Sequence, residues 1–251
     1  MKIILSPTKK MNTDTDSLNC AGMPEYLEQT ERILEWMQSR SYGELKEMWG
    51  CSDKIAEQNF NRLTRMKLYA GLTPAILSYE GIAFQYMAPA VFEEEQLRYV
   101  QEHLRILSAF YGVLRPLDGV TPYRLEMQTK AAVCGYKDLY ALWGRRLHDS
   151  VRKEDGVIIN LASREYSRCV EQYLTDKDTY ITCIFGELSG GRIVQKGTYA
   201  KMARGEMVRF MAEYAIEDPA GLKTFDRLQY VYREELSSEK EYVFVRQNRE
   251  K

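Results

Sequence analysis

The stretch Gly156-Val157-Ile158-Ile159-Asn160-Leu161 decides the fold. It is a short apolar run of β-branched residues that starts after a glycine, which predicts a buried strand ending at Asn160. Ser163 follows as the predicted N-cap of a helix. The first residues, Met1-Lys2-Ile3-Ile4-Leu5-Ser6-Pro7, hold a second apolar run that Ser6-Pro7 interrupts, and they predict another buried strand. We therefore expect a sheet with strands that are followed at once by polar residues.

Helices alternate with strands along the rest of the chain. Further strands are predicted at 179–185, 192–199 and 242–245, with a short one at 74–79. Helical spacing of apolar residues predicts a helical subregion at 25–70 and helices at 92–102, 137–151 and 201–214. The apolar stretch 103–114 predicts either a strand or a short buried helix. This alternation indicates a mixed α/β (α+β) fold: one compact domain over residues 1–251, with a central sheet and flanking helices.

Composition and charge exclude several classes of protein. Of the 251 residues, 45% are hydrophobic and 28% are charged, which excludes a disordered or collagen-like chain. No apolar run is long enough for a membrane span and the first one is too short for a signal peptide, so we expect a cytoplasmic protein. The net charge of −1 predicts no polyanionic partner by itself. Residues 192–210 nevertheless hold five Lys or Arg and one Glu, which is compatible with a positive cleft or with a solvated helix face.

The cysteines and histidines do not indicate a metal or cofactor site. The five Cys include no C-x-x-C pair and are expected to be free thiols. His103 and His148 lie in helical patterns far from any cysteine, whereas a zinc site needs three or four ligands. We therefore expect no metal and no cofactor, and we assign no catalytic residues.

Polar side chains directly follow three of the predicted strands. They are Ser6, Lys9 and Lys10 after the first strand, Asn160 and Ser163 after the strand at 156–161, and Lys201 and Arg204 in the expected first turn of the helix after 192–199. Ligands of sheet proteins often bind beyond strand ends. Two cations are unfavourable in the first turn of a helix, because the helix dipole is already positive there, unless an anion binds between them. The alternative is that both side chains extend into solvent.

Residues Pro122-Tyr123-Arg124-Leu125-Glu126 form a second concentration of polar groups. On a strand, Arg124 and Glu126 would share a face. They form either a structural ion pair or an anion site in which Glu126 holds Arg124 in place.

The segment 48–56, between two predicted helices, resembles the turn of a helix-hairpin-helix module. In such modules, with the turn Pro-Gly-Ile-Gly-Pro-Lys-x-Ala, backbone amides at the start of the second helix bind a DNA phosphate without reading bases. Gly50 matches the first glycine, Lys54 the lysine and Ala56 the small packing residue. Ser52 replaces the second glycine, so the segment is also compatible with an ordinary helical corner capped by Ser52.

Collinear motifs over residues 1–246 resemble those of YaaA-type peroxide stress proteins. The matching pieces are Leu5-Ser6-Pro7-Thr8-Lys9, Ser52-Asp53-Lys54-Ile55-Ala56, His103-Leu104-Arg105, Tyr111-Gly112-Val113-Leu114-Arg115-Pro116-Leu117-Asp118, Pro122-Tyr123-Arg124-Leu125-Glu126-Met127, Lys137-Asp138-Leu139-Tyr140, Trp143-Gly144, Ile159-Asn160-Leu161-Ala162-Ser163 and Tyr199-Ala200-Lys201-Met202-Ala203-Arg204-Gly205. Lys10, where related sequences often have Thr, and Ser52 depart from the pattern.

The resemblance implies a cytosolic protein of the defence against hydrogen peroxide and iron-driven damage that binds double-stranded and branched DNA. It also implies a compact α/β fold with a positively charged cleft and a helix-hairpin-helix element. By position, the element falls on 50–56, and the cleft falls on Lys9, Arg124, Lys201 and Arg204.

The leading hypothesis is a DNA-binding protein that contacts the DNA backbone without sequence specificity. The residues expected to bind DNA are Lys9, Lys10, Gly50, Ser52, Lys54, Arg124, Lys201, Arg204 and Arg209. The alternative is an enzyme that acts on a nucleotide or a nucleic-acid base, in which Ser6, Glu126, Asn160 and Ser163 complete a pocket. Iron sequestration by carboxylates is a third hypothesis. A closed pocket at the strand ends favours the enzyme, and an open groove favours duplex binding.

Overall fold

In the computed structural model, which describes residues 1–152 and 156–247, helices alternate with mostly short strands. The strands are β1 (Lys2–Leu5), β2 (Lys10–Met11), β3 (Thr73–Pro74), β4 (Tyr79–Glu80), β5 (Leu104–Ser108), β6 (Gly112–Leu114), β7 (Gly119–Val120), β8 (Val157–Asn160), β9 (Thr179–Ser189), β10 (Arg192–Val194), β11 (Tyr230–Tyr232) and β12 (Glu241–Arg246). The helices are α1 (Leu27–Gln38), α2 (Tyr42–Trp49), α3 (Asp53–Thr64), α4 (Ala75–Ser78), α5 (Ile82–Met87), α6 (Glu94–His103), α7 (Leu139–Trp143), α8 (Arg146–Arg152), α9 (Arg164–Glu171) and α10 (Gly197–Glu213).

Eight of the described strands form one central sheet in the order β11-β12-β9-β8-β1-β5-β6, with β10 paired to β9. The inner strands β12, β9, β8, β1 and β5 run parallel, and β11, β10 and β6 are antiparallel to their neighbours. Ile3 lies opposite Ile159 on one side and opposite Leu104 on the other. All three side chains are fully buried, as expected for parallel strands that are covered on both faces. The predicted mixed α/β fold is confirmed.

The winding of the chain reverses beside β1. Strand β5 lies on one side of β1, and β8, which comes later in the chain, lies on the other. In open α/β sheets, ligands bind at such a reversal, outside the carboxyl ends of the strands. Ser6 and Ser163 come after the carboxyl ends of β1 and β8, so the topology brings them to this position.

Helices α5 and α10 cross at close range, and Gly205 makes the crossing possible. A Cβ atom at Gly205 would lie 1.9 Å from the carbonyl oxygen of Ala83 in α5, so a larger residue requires one helix to move. Because Lys201 and Arg204 precede Gly205 on α10, the same crossing brings them beside α5.

The structure corrects several predicted elements. The strand predicted at 192–199 ends at Val194, and α10 begins at Gly197. Lys201 and Arg204 therefore lie in the second and third turns of α10, and the predicted conflict with the helix dipole was wrong because that effect is confined to the first turn. Residues 122–126 are not in a strand. The stretch 103–114 forms β5 and β6, and 74–79 contains α4 between two very short strands.

The predicted helical subregion at 25–70 consists of α1, α2 and α3. Each helix buries an apolar face, with Ile33 and Met37 from α1, Leu45 from α2 and Leu63 from α3 in the core. The subregion therefore packs into the same core as the sheet.

Candidate functional site

A cavity of about 430 Å³ lies beyond the carboxyl ends of β1 and β8. Its wall contains Leu5 and Ser6 from the end of β1, and Leu161 and Ser163 from the end of β8. Residues of α5, α10 and the segment 123–126 complete the wall. The cavity is thus at the reversal of winding, where sheets of this type bind ligands. Its volume is within the range of small-molecule sites.

Most of the predicted strand-end residues meet in this cavity. The predicted residues in its wall are Ser6, Lys9, Lys10, Arg124, Glu126, Ser163, Lys201 and Arg204. The wall also contains Glu80 and Glu165, so five basic side chains and three carboxylates share it. The fold therefore brings together groups from five distant parts of the chain.

Ser6 and Ser163 connect the ends of the two neighbouring strands. The Ser6 hydroxyl accepts a hydrogen bond from the Ser163 backbone N–H at 2.8 Å and donates one to Ser163 Oγ at 3.1 Å. Ser163 is the N-cap of α9, as predicted, although its side chain accepts no capping hydrogen bond. The two hydroxyls are bonded to each other and fix this part of the wall.

Carboxylates pair with three of the cavity's cations. Lys9 Nζ lies 2.5 Å from one oxygen of Glu126, and Arg124 Nη2 lies 3.3 Å from the other. Lys10 Nζ lies 2.6 Å from Glu80. The structure thus contains the Arg124–Glu126 ion pair, on an irregular segment. Arg124 keeps one donor free, because its buried Nε has no hydrogen-bond partner in the described part of the chain.

Arg204 differs from these cations because no residue of 1–152 or 156–247 pairs with it. Its Nε is buried and forms no hydrogen bond there, and its guanidinium forms no ion pair. Burial lowers the pKa of this guanidinium, but an arginine in a protein stays charged. Lys201, one turn earlier on α10, is exposed. The cavity therefore contains one partly buried positive charge that no residue of the described protein pairs with.

Two tyrosines and Glu165 belong to the cavity although they were not predicted. The Tyr123 hydroxyl hydrogen bonds with Ser108 Oγ at 2.7 Å, which holds the ring in place. Glu165 accepts a hydrogen bond from the Gln128 backbone N–H at 3.3 Å, and burial raises its pKa. Tyr166, the next residue, is buried. Glu165 and Tyr166 lie two and three residues after the predicted N-cap Ser163, in the first turn of α9. That position after a strand end could have indicated from the sequence that they lie near the site.

Asn160 and Arg209 were predicted as site residues, but they do not line the cavity. Asn160 Oδ1 accepts a hydrogen bond from the Ala162 backbone N–H at 2.8 Å, and its Nδ2 donates to Thr182 Oγ1 at 3.3 Å. Arg209 Nε donates to Glu213 at 2.7 Å. Asn160 therefore ties β8 to its neighbour, and the charge of Arg209 is already paired.

The segment 48–56, where the sequence resembles a helix-hairpin-helix turn, contains the end of α2, a short turn and the start of α3; we call α2, this turn and α3 the α2–α3 hairpin. Gly50 adopts the left-handed conformation, with a φ of 52°, and ends α2. Ser52 has the extended backbone of an N-cap of α3 but makes no side-chain capping hydrogen bond. Lys46 and Asp53 form an ion pair across the turn. Ser52 and Lys54 are exposed at the tip of the hairpin.

A wider groove of about 750 Å³ joins the hairpin to the cavity. It shares Lys9 and Glu126 with the cavity and extends to Gly50. The Trp49 indole Nε1 donates a hydrogen bond to the backbone carbonyl of Arg124 at 2.7 Å. The end of α2 is thus bonded directly to the cavity wall.

A third depression continues the groove along residues 128–132 to Lys137 and Arg168. The molecule therefore has a partly open cavity at the strand ends and a larger groove beside it. A closed pocket was expected for the enzyme and an open groove for duplex binding, and both features of the structure are open to solvent.

No three His, Cys, Asp or Glu side chains of the described part of the chain are grouped so that they could hold a metal ion. None of its helices is both long enough and apolar enough to cross a membrane.

Comparison with known proteins gives consistent matches over nearly the whole chain. The profile of the family described as peroxide stress protein YaaA matches residues 1–236. A UPF0246 protein of Agathobacter rectalis is 63% identical over 246 residues, which cover 98% of this chain and 99% of that protein. UPF0246 proteins of Lachnoclostridium phytofermentans and Pediococcus pentosaceus are 53% and 51% identical, each over 98% of this chain and over 96% and 98% of their own lengths.

Proposed function

The chain belongs to the family of the peroxide stress protein YaaA, and on this basis we propose that it binds double-stranded or branched DNA without sequence specificity. The proposed contact surface runs from the strand-end cavity along the groove to the α2–α3 hairpin. The observation that carries the proposal is that basic residues from distant parts of the chain line one continuous surface.

The charge of this surface supports a polyanionic partner. The cavity, the groove and the third depression are together lined by nine Lys or Arg and six Asp or Glu, although the whole chain carries a net charge of −1. A local excess of positive charge on a nearly neutral protein favours binding of phosphates at that surface.

The hairpin supports contacts to the DNA backbone. The first amides of α3 have no partner within the helix, and they follow an exposed turn with Lys54 beside them. Asp53 is in the same turn, but its carboxylate is paired with Lys46. A phosphate at the start of α3 would interact with the amides and with Lys54 and would read no base.

The test is a set of duplex titrations at several salt concentrations. We expect the affinity to fall by about 0.9 log unit per log unit of salt for each phosphate contact, and to be similar for duplexes of unrelated sequence. Lys54→Glu is expected to weaken binding, because it places a carboxylate where the phosphate lies.

Lys177→Glu is the matched control. Lys177 is also exposed, but it precedes β9 and therefore lies at the opposite edge of the parallel sheet. The proposal fails if wild-type protein strongly prefers one duplex sequence. Lys177→Glu is expected to bind as the wild type does. If Lys54→Glu also binds as the wild type does, the hairpin is only a helical corner.

The position of the cavity beyond the carboxyl ends of β1 and β8 supports a second candidate function. We propose, as the alternative, an enzyme that acts on a nucleotide or a nucleic-acid base in this cavity. The test is chromatography of nucleotides and of DNA after incubation with wild-type protein and with an Arg204→Met variant. Products formed by the wild type alone would establish the enzyme, and unchanged substrates would leave DNA binding as the proposed function.

A further inference from the structure

We infer that the strand-end cavity binds a single unpaired nucleotide, with its phosphate paired to Arg204. This inference deepens the proposed function and rests on it, because it names the unit of the nucleic acid that the cavity accepts. The nucleotide is either a free mononucleotide or an unpaired residue of a DNA strand, since both present a base and a phosphate.

Arg204 supplies the argument for an anion. Lys9, Lys10 and Arg124 each pair with a carboxylate, whereas Arg204 has no partner in 1–152 or 156–247. A partly buried charge without a partner, with a buried Nε that makes no hydrogen bond, is unfavourable, and an anionic ligand in the cavity would reduce this penalty. Lys201 lies three residues earlier, on the same face of α10, and also lines the cavity. Two cations on one helix face match a phosphate group.

The rest of the wall supplies the argument for a base. Leu5, Leu161 and two tyrosines, Tyr123 and Tyr166, provide apolar and aromatic surface, and aromatic side chains bind bases of any sequence. The cavity therefore combines an anion site with an apolar and aromatic wall, which is the chemistry of a nucleotide.

The dimensions exclude an intact duplex from the cavity. A volume of about 430 Å³ suits one small ligand and is too small for the stacked base pairs of a duplex. A nucleotide must therefore leave the base stack to enter. The groove meets the cavity at Lys9 and Glu126, so a strand held in the groove can deliver one unpaired nucleotide.

The experiment measures the binding of four probes by calorimetry: thymidine monophosphate, thymidine, a perfect duplex, and the same duplex with a one-nucleotide bulge. We expect the monophosphate to bind at least tenfold more tightly than thymidine, or the bulged duplex at least tenfold more tightly than the perfect one. Arg204→Met should abolish whichever preference is seen, and Arg204→Lys should retain part of it. Lys177→Glu is the charge control, and circular dichroism verifies that each variant is folded.

The outcomes separate the two proposals. Binding of the monophosphate shows a free nucleotide as the source, and a preference for the bulge alone shows DNA as the source. If the perfect duplex binds but neither preference exists, or if Arg204→Met keeps the preference, the inference is overturned and the proposed function stands. If the monophosphate binds and neither duplex does, the proposed function fails and the cavity site stands.

Discussion

Replacing Arg204 with methionine is expected to stabilise the unliganded protein. Methionine is apolar and reaches about as far as the Nε atom of arginine, so it can occupy the space of the arginine stem without a charge. The change removes a partly buried positive charge and a buried Nε donor that has no partner in the described part of the chain. A residue kept in an unfavourable state in the free protein is characteristic of a binding site.

The size of the effect follows from the burial of this group. An unsatisfied buried donor costs about 1–3 kcal/mol, and replacing buried charges with apolar groups is neutral or stabilising by up to about 4 kcal/mol. Because part of the Arg204 side chain faces the cavity, we take the lower end, a gain of about 1 kcal/mol. In a domain of this size such a gain raises Tm by about 3 °C.

The assay is urea and thermal denaturation of wild type and variant, with Arg105→Met as the matched control. Arg105 is also buried, but its Nη1 donates to the carbonyls of Gln101 at 3.2 Å and Leu104 at 2.7 Å. Losing these bonds should destabilise the protein by about 2 kcal/mol. Thymidine monophosphate should raise the Tm of the wild type and leave that of Arg204→Met unchanged.

A loss of stability of about 1 kcal/mol or more in Arg204→Met would refute this reasoning. It would mean that the guanidinium is stabilised by the folded protein itself. Arg204 would then be a structural residue, comparable to Arg105.

Two further predictions concern the fold around the site. Gly205→Ala should destabilise the protein by about 1–3 kcal/mol in urea denaturation, because the new methyl group meets the Ala83 carbonyl. Gly43→Ala is the control: its Cβ would meet no atom within 4 Å, so it should be neutral or stabilising. Burial raises the pKa of Asp118 from 3.8 to about 6, so its ionisation destabilises the folded state. Wild-type stability should therefore fall relative to Asp118→Asn as pH rises from 4 to 6, and parallel curves for the two proteins in that range would contradict the assignment.

The inner strands could be predicted because their sequences are apolar on both faces. Ile3 and Ile159 belong to runs that no amphipathic helix or edge strand would contain, and their burial in β1 and β8 confirms the prediction. The strand predicted at 192–199 extended too far, since Thr198 and Tyr199 have a high local preference for strands. The packing of α10 on α5 outweighs that preference, and it depends on Ala83, which is distant in sequence.

The candidate site was predictable where it depends on strand ends and unpredictable where it depends on packing. Ser6 and Ser163 meet because β1 and β8 are neighbours in the sheet. The two apolar runs indicated two buried strands, and parallel buried strands end at the same edge of a sheet. The pairing of Arg209 with Glu213 has the i, i+4 spacing of a helical ion pair and could have been read from the sequence. Nothing in the sequence indicates that Trp49 reaches Arg124, because 75 residues separate them.

The hydrogen bond from Trp49 to the Arg124 carbonyl makes the hairpin and the cavity one mechanical unit. A ligand that immobilises Arg124 restrains the last residue of α2, and DNA held at the hairpin restrains Arg124 in the same way. If both proposed contacts form, this bond holds their two sites at a spacing that the protein sets. On the proposed function, the preferred DNA is one in which an unpaired nucleotide and a neighbouring phosphate lie at that spacing, so geometry selects the DNA where base sequence does not.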